Sequence, residues 1–210
     1  MEIKLINDQD RLIFDPKTLD TIFKIAEFAD DDIFLVGTVF YFDNQAYCNL
    51  VEVMEQKIRY QNVEVDVDAF KETVEAIEEN GGGMAMNLII QCKGKKGVSI
   101  YSGDETKLKE LIEAYGEGYL MVVNKDNETK INYYNYNCGF KIEDMGYDID
   151  VSGECDLTDD EIRKMIDEKV TSTTSTYYQN TTSTVDTTKK EEPYNPSELM
   201  KKKPALTGLT

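Results

Sequence analysis

The chain has 210 residues, 40% apolar and 30% charged, with 41 acidic side chains against 23 basic ones and a formal net charge of −18. That length accommodates one domain with extensions or two small domains. So acidic a surface repels phosphate backbones and anionic lipid, which sets nucleic acid and membrane surfaces aside as partners.

Histidine is absent, so no imidazole is on hand as general base, nucleophile partner or metal ligand. The four cysteines, Cys48, Cys92, Cys138 and Cys155, form no CxxC pair, which argues against a Cys-only zinc site and a redox motif. The opening MEIKLINDQD lacks the apolar core of a secretion signal, and no apolar run approaches the ~20 residues that span a bilayer. A cytoplasmic chain with reduced thiols is expected.

Residues 2–6 (EIKLI) alternate and predict a short strand. Asp15-Pro16 then opens a helix, with Asp as N-cap and Pro at the first helical position. Leu19, Ile22, Phe23, Ala26 and Ala29 give it helical spacing, and Asp30-Asp31-Asp32 stops it. Residues 33–42 and 46–54 are strand-like runs joined by Asp43-Asn44, a hairpin pattern. A further β-rich piece covers 58–67. In the helix that follows, Phe70, Val74 and Ile77 line one face, and Gly81-Gly82-Gly83 ends it.

MNLIIQC (86–92) is a continuous apolar run suited to a central strand buried on both faces. Asp104 caps the next helix, with Leu108, Leu111 and Ile112 on its inner side. GYLMVVNK (118–125) reads as another buried strand, and residues 128–136 as its hairpin partner across Asp126-Asn127. The Tyr-Asn alternation at 132–137 reads as the exposed face of an edge strand. Residues 140–151 add strand-like material. Thr158 starts a short helix whose first turn holds Asp159, Asp160 and Glu161, favourable to the helix dipole.

The organisation expected is a folded domain over 1–155, a short helix over 156–170, a Thr/Ser-rich linker over 171–192 and a tail over 193–210. The linker is too poor in apolar anchors to fold. In the tail, Asn195 and Glu198 frame a short helix ending at Lys201-Lys202-Lys203, a segment suited to meeting a protein partner. Because hairpins interrupt the alternation of strands and helices, the pattern predicts an α/β sandwich around one mixed sheet, flanked by helices. No Gly-rich phosphate loop follows any strand.

The element order, with the stretches DIFLVG (32–37) and NLIIQCKGKKGVSIYSGD (87–104), resembles the JAB/MPN (JAMM) metalloprotease-like family, in the versions carried by phages and mobile elements. The resemblance covers roughly residues 2–150 and implies a cytidine-deaminase-like sandwich. In that family a Glu precedes a Gly-ended strand, and a second strand ends in His-x-His. A Ser and then an Asp follow, and the two His and the Asp hold zinc beside a water that the Glu activates. Laid on that pattern without gaps, Asp32 takes the Glu position, Gln91 and Lys93 take the two His positions, Tyr101 falls at the Ser and Asp104 at the ligand Asp.

Strand alternation puts Gln91 and Lys93 on one face and turns Cys92 away, as a buried thiol. Zinc favours N and S ligands, so the resemblance implies a degenerate site with no metal and no cofactor. Two placements of Lys93 stay open: it fills the cation's place by pairing with Asp104, or it points to solvent and Asp104 is only the N-cap of the next helix. The reading is an inactive interaction or structural module, of host cytoplasm or virion. The alternative is an atypical metal-dependent isopeptidase or peptidase, with Asp32 as base and Asp104 and Gln91 as ligands.

Overall fold

Asp15 accepts a hydrogen bond from the Thr18 amide and so caps helix α1, Pro16–Phe28, as its Asp-Pro start predicts. In the computed structural model α1 buries Leu19, Ile22, Ile25 and Ala26. The described residues are 2–3, 11–59, 62–80, 86–94, 97–101, 103, 105–106, 109–110, 115–150 and 157–172. The contacts divide the chain into Met1–Ser175 and Thr176–Thr210; the second unit, with most of the expected linker and all of the tail, lies outside the described residues.

The strands are β1 (Glu2–Ile3), β2 (Arg11–Phe14), β3 (Ile33–Phe42), β4 (Gln45–Val53), β5 (Gln56–Arg59), β6 (Asn62–Val65), β7 (Leu88–Lys93), β8 (Glu117–Asn124), β9 (Thr129–Asn135), β10 (Phe140–Ile142), β11 (Gly146–Ile149) and β12 (Val170–Ser172). Two further helices, α2 (Val67–Asn80) and α3 (Asp159–Lys169), complete the set, with helical residues also at 103, 105–106 and 109–110. Nine strands form one sheet in the order β1-β10-β9-β8-β7-β3-β4-β2-β11, and β12-β5-β6 form a second. The fold is mixed α/β, with parallel pairs such as β7–β8 beside antiparallel ones such as β3–β7.

The connection from β10 to β11 dictates a strongly curled sheet. Only residues 143–145 separate these strands, a reach of ~14 Å. Yet they stand seven strand steps apart in the sheet, ~34 Å if it were flat. The sheet therefore bends round. The larger apolar cluster joins α1 and Ile162 of α3 to inward residues of β2, β3, β4, β7, β8, β9 and β10, so α1 lies within the curl. A smaller cluster on the outer face packs Phe70 of α2 against Phe34, Val36, Ile89, Leu120 and Tyr134.

Both expected hairpin turns form. Asp43 and Asn44 have φ of 49° and 62°, the pair of left-handed residues that a two-residue hairpin demands. Asn127 (φ 60°) turns β8 into β9. Thr158 and Glu161 cap α3 reciprocally. Strand β7 is buried at every residue, as a central strand should be.

Two readings are extended and two are corrected. Strand β2, absent from the sequence reading, holds together through parallel pairing with β4 and β11. The stretch 140–151 is two strands, broken at Asp144 (φ 56°) and sent to distant places in the sheet. Thr171 and Ser172, assigned by composition to the linker, belong to β12, which pairs with β5. The Tyr-Asn run is no exposed edge: β9 pairs with β8 on one side and β10 on the other, and Asn132 and Tyr134 are buried.

Candidate functional site

Asp32 immediately precedes β3, and β3 pairs with β7 in the register Ile33↔Cys92 and Phe34↔Gln91. This register brings Asp32 beside the end of β7. Gln91 Nε2 donates to Asp32 Oδ2 at 2.9 Å. Gln91 is 5% exposed, and its Oε1 is buried with no hydrogen-bond partner among the described residues.

Period-two alternation distributes the rest. Ile89, on the outer face with α2, shares its side of β7 with Gln91 and Lys93. Cys92 faces the inner core, where its thiol donates to Ile22 O of α1 at 3.8 Å. Burial, and then the negative charge of Asp32, push the Cys92 thiol well above its ordinary range. Burial likewise pushes Cys48 up to about 12. Neither thiol is a nucleophile or a ready ligand. In native protein at mildly alkaline pH, iodoacetamide is expected to label Cys138, which is exposed, and to spare Cys48 and Cys92 until the chain unfolds. Peptide mass mapping checks this.

Lys93 is 8% exposed, and its Nζ donates to Ser99 O at 2.9 Å. The same ammonium lies 4.7 Å from the centroid of the Tyr101 ring, a cation–π contact, while Tyr101 itself is 63% exposed. Asp32 and Lys93 form no ion pair within 4.0 Å among the described residues. Asp104, and with it the expected Lys93–Asp104 pair, lies outside the described residues. So do Leu108, Leu111, Ile112, Lys95 and Lys96.

The structure thus brings Asp32 to Gln91, and Tyr101 to Lys93. The donor set does not fit a zinc ion. Gln91 turns its N–H, not its oxygen, to the carboxylate, and Lys93 brings an ammonium where a ligand would stand. Among the described residues no three His, Cys, Asp or Glu side chains gather in a metal-holding group.

Three features of the site escape a reading by motif. Gly94 ends β7 against residues 30–31: an added Cβ would run into Asp30 O and lie 2.6 Å from Asp30 C and 2.8 Å from Asp31 N. The Ser99 carbonyl holds Lys93. A polar network anchors Glu105, next to Asp104 in sequence. Tyr134 Oη donates to Glu105 Oε1 at 2.8 Å, Asn132 Nδ2 donates to Tyr134 Oη at 3.1 Å, and Lys141 Nζ sits 3.4 Å from Glu105. Burial keeps the Tyr134 hydroxyl protonated, so it serves as donor. Here the Tyr-Asn run finds its use, since alternate residues of β9 reach this network.

Among the described residues no helix is long and apolar enough to cross a membrane. No protein-family model matches the sequence, and no curated protein matches it. Among solved structures the chain is similar to the solution structure of protein DSY2949 from Desulfitobacterium hafniense, at 10% identity and a TM-score of 0.46, over 69% of this chain and 95% of that one.

Proposed function

We propose that the chain is a catalytically inactive JAB/MPN-like module that acts by binding another protein, in a phage or mobile-element setting. The observation that carries this reading is the hydrogen bond from Gln91 to Asp32. In the family that the sequence resembles, the position of Asp32 holds the general base and the position of Gln91 a metal ligand. Here the Gln91 amide points an N–H donor at one oxygen of Asp32, where a ligand needs to offer a lone pair to a metal. Lys93, at the second His position, is held by Ser99 O and the Tyr101 ring. An acidic surface and a tail that carries Lys201-Lys202-Lys203 after a polar linker suit protein partners.

A second reading rests on one atom. Gln91 Oε1 is buried and has no hydrogen-bond partner among the described residues; it is the oxygen that an atypical metal-dependent isopeptidase would offer its ion, with Asp104 as co-ligand and Asp32 as base. Hydrolysis assays separate the two. With isopeptide- and peptide-linked substrates and added zinc, turnover is expected to equal that of buffer. Turnover that disappears in Asp32→Asn would establish the enzyme instead.

A further inference from the structure

We infer that a cleft between the end of α1 and α3 is a docking site for a lysine or arginine side chain presented by a partner protein. The inference rests on the reading as an interaction module. The cleft encloses about 280 Å³, the scale of a single long side chain.

Its walls come from separate parts of the fold. Phe28 ends α1, Ile33 opens β3, Ile58 lies on β5, and Ile166 and Val170 follow one another along α3 into β12. These side chains make an apolar floor. Around it stand three carboxylates, Asp30, Asp31 and Asp167, against one guanidinium, Arg163. Asp30 already meets Lys125, 3.4 Å away. Asp31 and Asp167 have no ion pair among the described residues.

An apolar floor under a net acidic rim matches a side chain with an aliphatic stem and a cationic head, which is the build of Lys and Arg. The cleft already holds such a group. Arg163 pairs with no carboxylate among the described residues, and its guanidinium lies over the Phe28 ring with its carbon 4.0 Å from the centroid. The aromatic wall therefore accepts a planar cation. An incoming basic side chain would share or take that face and place its head between Asp31 and Asp167. An acidic ligand meets repulsion there, and a neutral one adds no counter-charge to the two carboxylates.

The test is an NMR titration of the full chain, labelled at its Ile and Val methyls, with the acetylated and amidated peptide Gly-Leu-Arg-Leu-Gly and with its Gln counterpart. The Arg peptide is expected to shift the Ile58, Ile166 and Val170 signals saturably, and the Gln peptide to bind about tenfold more weakly. Joint Asp31→Asn and Asp167→Asn substitution weakens the Arg peptide by about tenfold at unchanged Tm. Arg163→Ala tightens it, because the Phe28 face is freed and a like charge removed. Equal binding of both peptides, no saturable shift at these methyls, or weaker binding in Arg163→Ala would overturn the proposal. Free agmatine matching the peptide's affinity would overturn the assignment to a protein partner. The cleft uses none of Asp32, Gln91 and Lys93, so zinc binding by the chain would overturn the inactive-module reading and leave this titration as it is.

Discussion

Gly94→Ala is expected to destabilise the chain by about 3 kcal/mol, near the upper end of what overpacking costs. The reason is the identity of the obstacle. The added methyl meets Asp30 O, Asp30 C and Asp31 N, which are backbone atoms and cannot swing aside as a side-chain tip would. Either the exit of β7 or the segment 30–32 must move, and Asp32 lies in that segment. Stiffening the unfolded chain returns only about 0.4–1 kcal/mol. Urea unfolding, read as a lower midpoint at constant slope, measures the loss. A shifted side-chain amide signal of Gln91 would show that the Asp32 contact moved with it. Gly103→Ala is the control: among the described residues nothing lies within 4 Å of the Cβ it adds. At this helical position it is expected to cost nothing and to stabilise by up to about 1 kcal/mol.

Gln56→Met should cost a similar amount, about 3 kcal/mol, with almost no change in side-chain volume. The paired residues of β4 and β3 end at Val53 opposite Leu35, with one further backbone bond from Met54 N to Phe34 O at 3.1 Å, so it is the Phe34 N–H that reaches past the end of the ladder. The side chain of Gln56 takes the missing strand's place. Its Oε1 accepts from Phe34 N at 2.9 Å, and its Nε2 donates to Phe34 O at 2.9 Å and to Met54 O at 2.8 Å. Gln56 is 3% exposed, so water is poorly placed to replace these bonds. A thioether leaves the Phe34 N–H orphaned in the interior, and each such group costs about 1–3 kcal/mol. Gln45→Met, at the exposed hairpin turn, carries the same chemical change and is expected to stay within about 0.5 kcal/mol. Equal effects at the two positions would contradict the ladder-extension account.

What could be read from the sequence was mostly local. Asp15 before Pro16, Thr158 with Glu161, and the Asp43-Asn44 and Asp126-Asn127 turns each act within a few residues, so their chemistry is written in adjacent letters. Strands β2 and β12 were hidden because four or three residues have little preference of their own and take strand form from distant partners. The Tyr-Asn run shows the limit of periodicity. Alternation says that two faces differ, but not whether neighbours flank the strand on both sides. At the site, alternation separated Cys92 from Gln91 and Lys93 correctly. It carried no information on which end of the Gln91 amide meets Asp32, on Ser99 as the acceptor for Lys93, or on the close approach at Gly94. Those depend on rotamers and on backbone contact between segments about 60 residues apart in sequence.

The proposed module has the layout of a zinc site and residues that do not suit the metal. Zinc titration by calorimetry, beside metal analysis of the purified chain, decides this. No stoichiometric zinc is expected in the wild type, and zinc binding is expected to be gained when Gln91→His and Lys93→His are introduced together. One zinc per wild-type chain, lost on Asp104→Ala, would contradict it.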